Sequence, residues 1–440
     1  MAALKIPPHN SEAEASVLGA ILIDKDAIST ASQIISASDF YSEINETIYR
    51  AMLTLYEEGK PIDLLTLATQ LKKNKSHIKI ESSYLTDLVN AVPTAANVES
   101  YAVLIRETST KRSLIQIGSE IVETSFKEDK EVGDLLNKAE SSIFSISQKS
   151  SIRNFIPLKE ALAESFDRID ELHKRGSGLR GIKTGFVDLD NTLSGMQDSN
   201  LLILAARPGQ GKTAMVVNIS QHIAVNDKKP VAIFSLEMSK EELVDRLLVG
   251  QADVDAWRIK TGRLSESDFT KLSNAMGELA DAPIFIDDTP GITVAEMRSK
   301  ARRLHMEHNI SLLIIDYLQL VDPGRRYDNR VQEVSIVSQS LKNLARELKV
   351  PVLAVSQLSR AVEHRGEKKP QLADLRESGS IEQDADVVMF LYRPEEDFTS
   401  PTMQVKLLIA KHRNGPMGEI DLLFRGDRIR FYNAEKKRGE

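Results

Sequence analysis

Lys212 and Thr213 follow a turn-forming stretch with two closely spaced glycines, and a helical pattern begins at Ala214. A lysine and a hydroxyl in that setting suit one kind of chemistry: successive backbone N–H groups at a helix N-terminus cradle a phosphate chain. Ala206, Arg207, Pro208, Gly209, Gln210, Gly211, Lys212, Thr213 and Ala214 would together wrap the nucleotide. Lys212 would reach the β/γ-phosphates of ATP, and Thr213 would place its hydroxyl on Mg²⁺. The general pattern opens with glycine where Ala206 stands. Gly-Lys-Thr alone recurs by chance, so the weight rests on context: the apolar run Leu201 to Leu204 before the loop and the helix after it.

A phosphate loop needs acids, and two apolar runs end in one. Leu312-Leu313-Ile314-Ile315 runs into Asp316, a candidate for holding Mg²⁺ through water, with a strand-end cap as the bland alternative. Val231 to Glu237 is the second, and Glu237 would orient and activate the water that attacks the γ-phosphate. A third run, Val352 to Val355, ends at Ser356-Gln357, where a neutral amide could sense the γ-phosphate and move the loop beyond it.

That loop, Ser359 to Gly379, carries Arg360, His364, Arg365, Lys368, Lys369 and Arg376 among acids. It reads either as a solvated surface or as a polyanion contact, with Ser378 and Gly379 amides available to phosphates. Arg325, Arg326 and Arg330 form a second such group. Lys411-His412-Arg413 sits at a hairpin tip, away from the phosphate loop in sequence, where cations could act as a trans finger on a neighbour's nucleotide. His305 and His308 lack the further ligands a metal site requires.

The elements that must position these groups alternate. Strand-like runs at 201–205, 231–236, 284–287, 312–315, 351–355, 386–391 and 404–410 are separated by helical patterns at 213–225, 240–250, 266–280, 293–308 and 331–349. This predicts an α/β fold, a mostly parallel sheet covered by helices, over 183–440. The last strands, 404–411 and 419–431, read as a hairpin. Residues 1–150 read instead as all-α, with segments at 47–58, 64–73, 82–90 and 97–124 and a capping-box pattern of Ser11 with Glu14. Between them, 151–182 holds an amphipathic helix over 158–174, with apolar Leu158, Leu162, Phe166, Ile169 and Leu172. It packs either on its own chain or on a neighbouring subunit.

Composition narrows the class. The 440 residues, 41% hydrophobic and 28% charged, describe a soluble globular chain of about two or three domains. No apolar run approaches a membrane span, and MAALKIPPHN lacks the apolar core of a signal peptide, so a cytoplasmic location is expected. The chain has no cysteine, which removes disulfides, thiolate zinc sites and cysteine nucleophiles together. The net charge of −7 is not that of a globally basic nucleic-acid binder, so any contact with DNA rests on local clusters or backbone amides.

With those residues laid out, the chain resembles the bacterial and phage replicative DNA helicases of the DnaB type, which carry a RecA-like P-loop motor. The resemblance runs over essentially the whole length. It rests on PPHNSEAEASVLGAIL, VPTAANVESYAVLIRE (92–107), TGFVDLDNTLSG (184–195), ARPGQGKTA (206–214), FSLEM (234–238), IIDYLQL (314–320), LRESGSIEQDADVVMFLYR (375–393) and KHRNGP (411–416). That family accepts alanine at the position of Ala206. The resemblance implies a homohexameric ring that encircles single-stranded DNA, moves 5′→3′ and unwinds the replication fork with ATP. It implies that Lys212 and Thr213 bind phosphate and Mg²⁺, that Glu237 is the catalytic base, and that Asp316 is the metal-associated acid. Gln357 matches the γ-phosphate sensor, Lys411 and Arg413 the trans finger pair, and Arg376, Glu377, Ser378 and Gly379 the loop that tracks the DNA backbone. The 158–174 helix matches a linker that docks on the adjacent subunit, and the N-terminal domain a collar contacted by primase, with a helicase loader also expected. The competing reading is a RecA-like, ATP-dependent DNA-binding ATPase without unwinding activity, from which the helical N-terminal region and linker set this chain apart.

Overall fold

The computed structural model describes residues 6–73, 80–127, 179–325, 329–359, 369–394 and 402–434, with isolated positions between them. The chain divides into two compact units, Met1–Ser165 and Phe166–Glu440.

The first unit is helical among its described residues: α1 Ser11–Ile23, α2 Ala27–Ile34, α3 Glu43–Glu57, α4 Leu64–Lys73, α5 Ser82–Asn90 and α6 Val98–Ser125. Val17, Leu18 and Ile21 of α1 meet Ile48 and Met52 of α3 and Ile105 of α6 in one buried cluster. Gly19 permits a close approach in that cluster, since a Cβ there would lie 2.1 Å from the Leu88 carbonyl oxygen of α5. The expected Ser11–Glu14 capping box is not formed. Asn10 caps α1 one residue earlier by accepting from the Ala13 N–H at 3.0 Å. Glu14 instead turns inward, buried, and accepts from the Tyr41 N–H at 2.6 Å and Asn45 Nδ2 at 2.9 Å. A buried carboxylate must be matched by donors, and the chain supplies them from residues 27 to 31 positions away. Asp39 is held likewise by Ser109 Oγ (2.7 Å) and Arg106 Nη1 (3.1 Å). Burial alone would raise its carboxyl, yet the Ser36 amide, the Ser109 and Ser36 hydroxyls and the Arg106 guanidinium keep it below the usual value.

The second unit is built on one nine-stranded sheet in the order β3-β2-β4-β5-β1-β6-β7-β8-β9. The strands are β1 Leu201–Ala206, β2 Val231–Ser235, β3 Ile284–Asp287, β4 Leu312–Asp316, β5 Val352–Gln357, β6 Val387–Tyr392, β7 Thr402–His412, β8 Gly418–Arg425 and β9 Arg430–Asn433. Pairing is parallel from β3 to β6 and antiparallel from β6 to β9. Its helices are α7 Val187–Leu193, α8 Lys212–Gln221, α9 Lys240–Ala252, α10 Ala256–Thr261, α11 Glu266–Ala280, α12 Val294–His308, α13 Arg330–Leu348 and α14 Gly379–Asp384. Alternation along a strand explains the two layers. Leu202, Leu204 and Ala206 point into the cluster with α7, α8 and α9, while Leu201, Ile203 and Ala205 point into the one with α12, α13 and α14. Both faces are covered, so β1 is apolar at every position.

One expectation is refined. The run 419–431 is two strands, because Gly426–Arg428 forms a 3₁₀ turn and Ile429 takes φ 50°. Asp427 holds the turn by accepting from Arg425 (2.7 Å) and Arg428 (3.1 Å). The 158–174 helix lies largely outside the described residues; its described apolar positions Leu158, Leu162 and Phe166 are exposed.

Candidate active site

Parallel strands deliver their carboxyl ends to one edge, and open α/β sheets bind ligands there. Ala206 lies in register with Gln357, and Ser235 with Asp316. The phosphate loop after β1, Glu237 after β2, Asp316 at the end of β4 and Gln357 at the end of β5 therefore emerge together. The loop is tied down by its neighbour: the Leu358 N–H donates to the Ala206 carbonyl at 3.2 Å, and Arg207 Nη1 donates to the Leu358 carbonyl at 2.7 Å. Gly209 and Gly211 take φ of 77° and 96°, the left-handed region that favours glycine, and Gly211 is the N-cap of α8. Lys212 and Thr213 then open the helix, with Ala214 buried beneath them.

The charges are set against burial. Burial lowers the Lys212 ammonium, the carboxylates of Asp316 and Glu237 oppose that, and Arg207 adds to it. Asp316, buried at the end of its strand, has its carboxyl raised, first by burial and then by Glu237, against the Thr213 hydroxyl, Lys212 and Arg246. A lysine and an acid held this way are poised for a ligand that brings charge of its own. The acid also fits a cation. The Thr213 hydroxyl is among the groups that pull the Asp316 carboxyl back down, and Asp316 Oδ1 is buried with no hydrogen-bond partner. A buried carboxylate oxygen without a donor is unfavourable unless something else takes its lone pairs. Glu237 and Gln357 are exposed, as groups that meet a nucleotide and its attacking water must be.

Lys411 and Arg413 lie elsewhere. The Arg413 N–H donates to the Asp386 carbonyl at 2.8 Å, and its Nη1 pairs with Asp386 Oδ1 at 3.2 Å. Asp386 in turn accepts from the Leu201 N–H at 2.8 Å and Lys342 Nζ at 2.5 Å. Leu201 begins β1, so this is the amino edge of the sheet. The length of β1, roughly 17 Å, separates the pair from its own phosphate loop. Lys411 Nζ donates to the Glu382 carbonyl, and burial and Arg413 lower its ammonium against nearby acids.

Of the candidate nucleic-acid segments, Arg360, His364, Arg365, Lys368 and Arg326 lie outside the described residues. Arg376, Glu377 and Ser378 close the 3₁₀ helix Leu372–Ser378, and Gly379 opens α14; their side chains are outside what is described. Lys369 pairs with Glu419 at 2.5 Å, which binds it to the sheet's own surface. His308 stacks on Phe285 at 4.4 Å, and no cluster of metal-binding side chains occurs among the described residues.

Several residues at the loop were not read from the sequence. Lys212 Nζ stands 5.6 Å over the Tyr317 ring. Arg393 Nη2 donates to the Gly209 carbonyl at 3.1 Å, and its guanidinium lies 5.8 Å over Phe424. Phe424 and Phe431 pack at 4.5 Å, and a Cβ on Gly211 would meet Phe431 at 3.0 Å. Asn218 of α8 pins the hairpin there by accepting from the Phe431 N–H at 2.7 Å and donating to the Ile429 carbonyl at 3.2 Å. The available signal was positional: Arg393 follows β6, a strand that ends at the same edge.

The chain is similar to known proteins over both of its units. The DnaB-like helicase C terminal domain family matches residues 181–433, and the DnaB-like helicase N terminal domain family matches residues 6–107. The replicative DNA helicase DnaC of Bacillus subtilis (strain 168) is 45% identical over 437 residues, covering 98% of this chain and 96% of that protein. The replicative DNA helicase DnaB of Geobacillus stearothermophilus is 45% identical over 439 residues, with the same coverage of 98% and 96%. Among solved structures, one of a DnaB-like replicative helicase and its interactions with primase superposes with a TM-score of 0.79 at 34% identity, over 97% of this chain and 100% of that one. A separately solved ATPase domain superposes with a TM-score of 0.60 at 39% identity, over 64% of this chain and 100% of that domain. Matched in both of its domains and alike to these helicases from end to end, the chain belongs to the DnaB-like helicase family.

Proposed function

We propose that the chain is a replicative DNA helicase that works as a homohexameric ring, translocates 5′→3′ on single-stranded DNA and unwinds duplex with ATP hydrolysis. The observation that carries this reading is the convergence of Lys212, Thr213, Asp316, Glu237 and Gln357 on one sheet edge, in a chain alike to named helicases over nearly its full length. Residues 206–214 wrap the triphosphate through backbone N–H groups, and Lys212 neutralises the β/γ oxygens as the bond to the leaving phosphate breaks. Thr213 and Asp316 would hold Mg²⁺, which would neutralise phosphate charge when bound. Glu237 takes the proton of the attacking water, and Gln357 reports the presence of the γ-phosphate to the segment beyond β5.

Lys411 and Arg413 complete the site of the next subunit, a reading supported by their place at the amino edge, about a strand's length from their own nucleotide. Residues 151–182 form the linker between a collar (1–150) and the motor (183–440), and exposed Leu158, Leu162 and Phe166 support its docking on a neighbour. Residues 376–379 track the DNA backbone. Primase, which is bound by the superposing helicase structure, and a loader are the expected partners of the collar. Among the described residues no helix is long and apolar enough to cross a membrane.

Hydrolysis by the purified chain, with and without single-stranded DNA, tests this reading. The wild type is expected to accelerate with DNA. Glu237→Gln is expected to lose turnover by about 10²-fold or more while binding ATP as before. Near-normal turnover in that variant would remove Glu237 as the base.

A further inference from the structure

We propose that Gln319 is a positioning residue that couples the nucleotide edge to the arginine-bearing segment after β4. The inference rests on the DNA-stimulated ATPase reading above. Gln319 stands in the 3₁₀ turn Leu318–Leu320, just beyond Asp316. Its side chain reaches across to β5, where Nε2 donates to Ser356 Oγ at 2.8 Å. Ser356 is fully buried, and the next residue is Gln357, the exposed strand end beside the phosphate loop. The backbone of Gln319 faces the other way, its carbonyl accepting from Arg330 Nη2 at the start of α13. One residue therefore ties the end of β5 to the first residue of α13.

The chain between those ties is 321–329, and it carries exposed Arg325. Its beginning is anchored separately: the Asp322 N–H donates to the Ile292 carbonyl at 3.0 Å, and the Val294 N–H donates to the Asp322 carbonyl at 3.0 Å. One end is thus fixed to α12, and the other meets the nucleotide edge through the Arg330–Gln319 contact. Movement at the end of β5 reaches this segment through Gln319, and a polyanion held by Arg325 is felt at Gln357 by the same route. Coupling of this kind is reciprocal.

The amide itself argues against a passive role. Its Oε1 is buried with no hydrogen-bond partner. Turned over, the amide would bond the Ser356 hydroxyl through oxygen and leave nitrogen without one. A buried amide oxygen without a donor leaves a place for a second partner, which a group that exchanges partners between two states would use.

The test is steady-state hydrolysis by the full chain, with and without a single-stranded oligonucleotide, for wild type, Gln319→Leu, Gln319→Met, Ser356→Ala and the Gln319→Leu/Ser356→Ala double variant. The expected result is a DNA-free kcat and KM for ATP within about twofold of wild type, with stimulation by DNA reduced roughly tenfold. The double variant is expected to be no worse than either single change, because both cut one path. Full stimulation in both Gln319 variants would overturn the inference. So would a DNA-free kcat that falls by the same factor as the stimulated one, or effects that add. A wild type indifferent to single strands would overturn the ATPase–DNA reading as well, whereas a stimulated wild type with unaffected variants sinks this inference alone.

Discussion

Asp316 holds its carboxylate where charge is disfavoured, with burial the largest influence and Glu237 adding to it. A carboxyl raised in the folded state subtracts stability once pH rises through its folded value, and the penalty is absent in acid below the ordinary value of 3.8. Asp316→Asn is therefore expected to stabilise the motor at neutral pH without nucleotide or metal. A gain of about 1 kcal/mol corresponds to roughly 2–4 °C in thermal midpoint for a unit of this size. The gain should vanish in acid, and ATP hydrolysis should be lost at every pH. A variant that melts earlier at neutral pH would show that the carboxylate is satisfied by the fold rather than kept for a cation. Asp316, Glu237 and Gln357 were legible in the sequence because each ends an apolar run, and strand ends are where parallel sheets present chemistry. Tyr317, Arg246, Arg393 and Phe431 were not, because only the topology brings residues so far apart in the chain to one loop.

At the scale of elements, the β8–β9 hairpin acts as a backing for the phosphate loop. Phe431 abuts Gly211, and Asn218 bonds the hairpin to α8, the helix that the loop begins. The two loop glycines consequently separate conformation from packing. Both have positive φ, but a Cβ on Gly209 meets nothing within 4 Å, while one on Gly211 meets Phe431 at 3.0 Å. Gly209→Ala should cost about 1 kcal/mol from its backbone alone, and Gly211→Ala roughly 2–3 kcal/mol, since Phe431 must also shift. Thermal unfolding without nucleotide compares them, and equal losses would mean that the hairpin yields freely. Continuous apolar runs made the parallel strands legible, and period-3.6 patterns most of the helices. The break of 419–431 at Gly426–Arg428 was hidden, because apolar residues continue on both sides and the turn depends on Asp427 bridging two arginines. The Ser11–Glu14 pattern misled for a related reason: Glu14 answers donors of a distant segment rather than its own helix end.

At the scale of the whole molecule, the sheet has the candidate nucleotide site at one edge and a pair of cations at the other. Arg413 and Lys411 are anchored on Asp386 and the carbonyls before it, which fixes where they project. If they finish a neighbour's site, each damaged subunit disables a junction rather than itself. Mixing Arg413→Ala chains into wild type is then expected to reduce hydrolysis more steeply than the fraction of variant added. A loss linear in that fraction would mean that Arg413 serves only the Asp386 cluster of its own chain. Here the sequence was informative about which residues pair up and silent about their distance from the phosphate loop, which follows from the strand order alone. The central claim is that this ATPase opens duplex DNA from a 5′ single strand. Its most direct test is ATP-dependent unwinding, by the purified chain, of forks carrying a 5′ tail beside forks carrying a 3′ tail. The account predicts strand separation on the 5′-tailed fork, none on the 3′-tailed fork, and none on either without hydrolysable ATP; hydrolysis stimulated by single strands with neither fork unwound would contradict it.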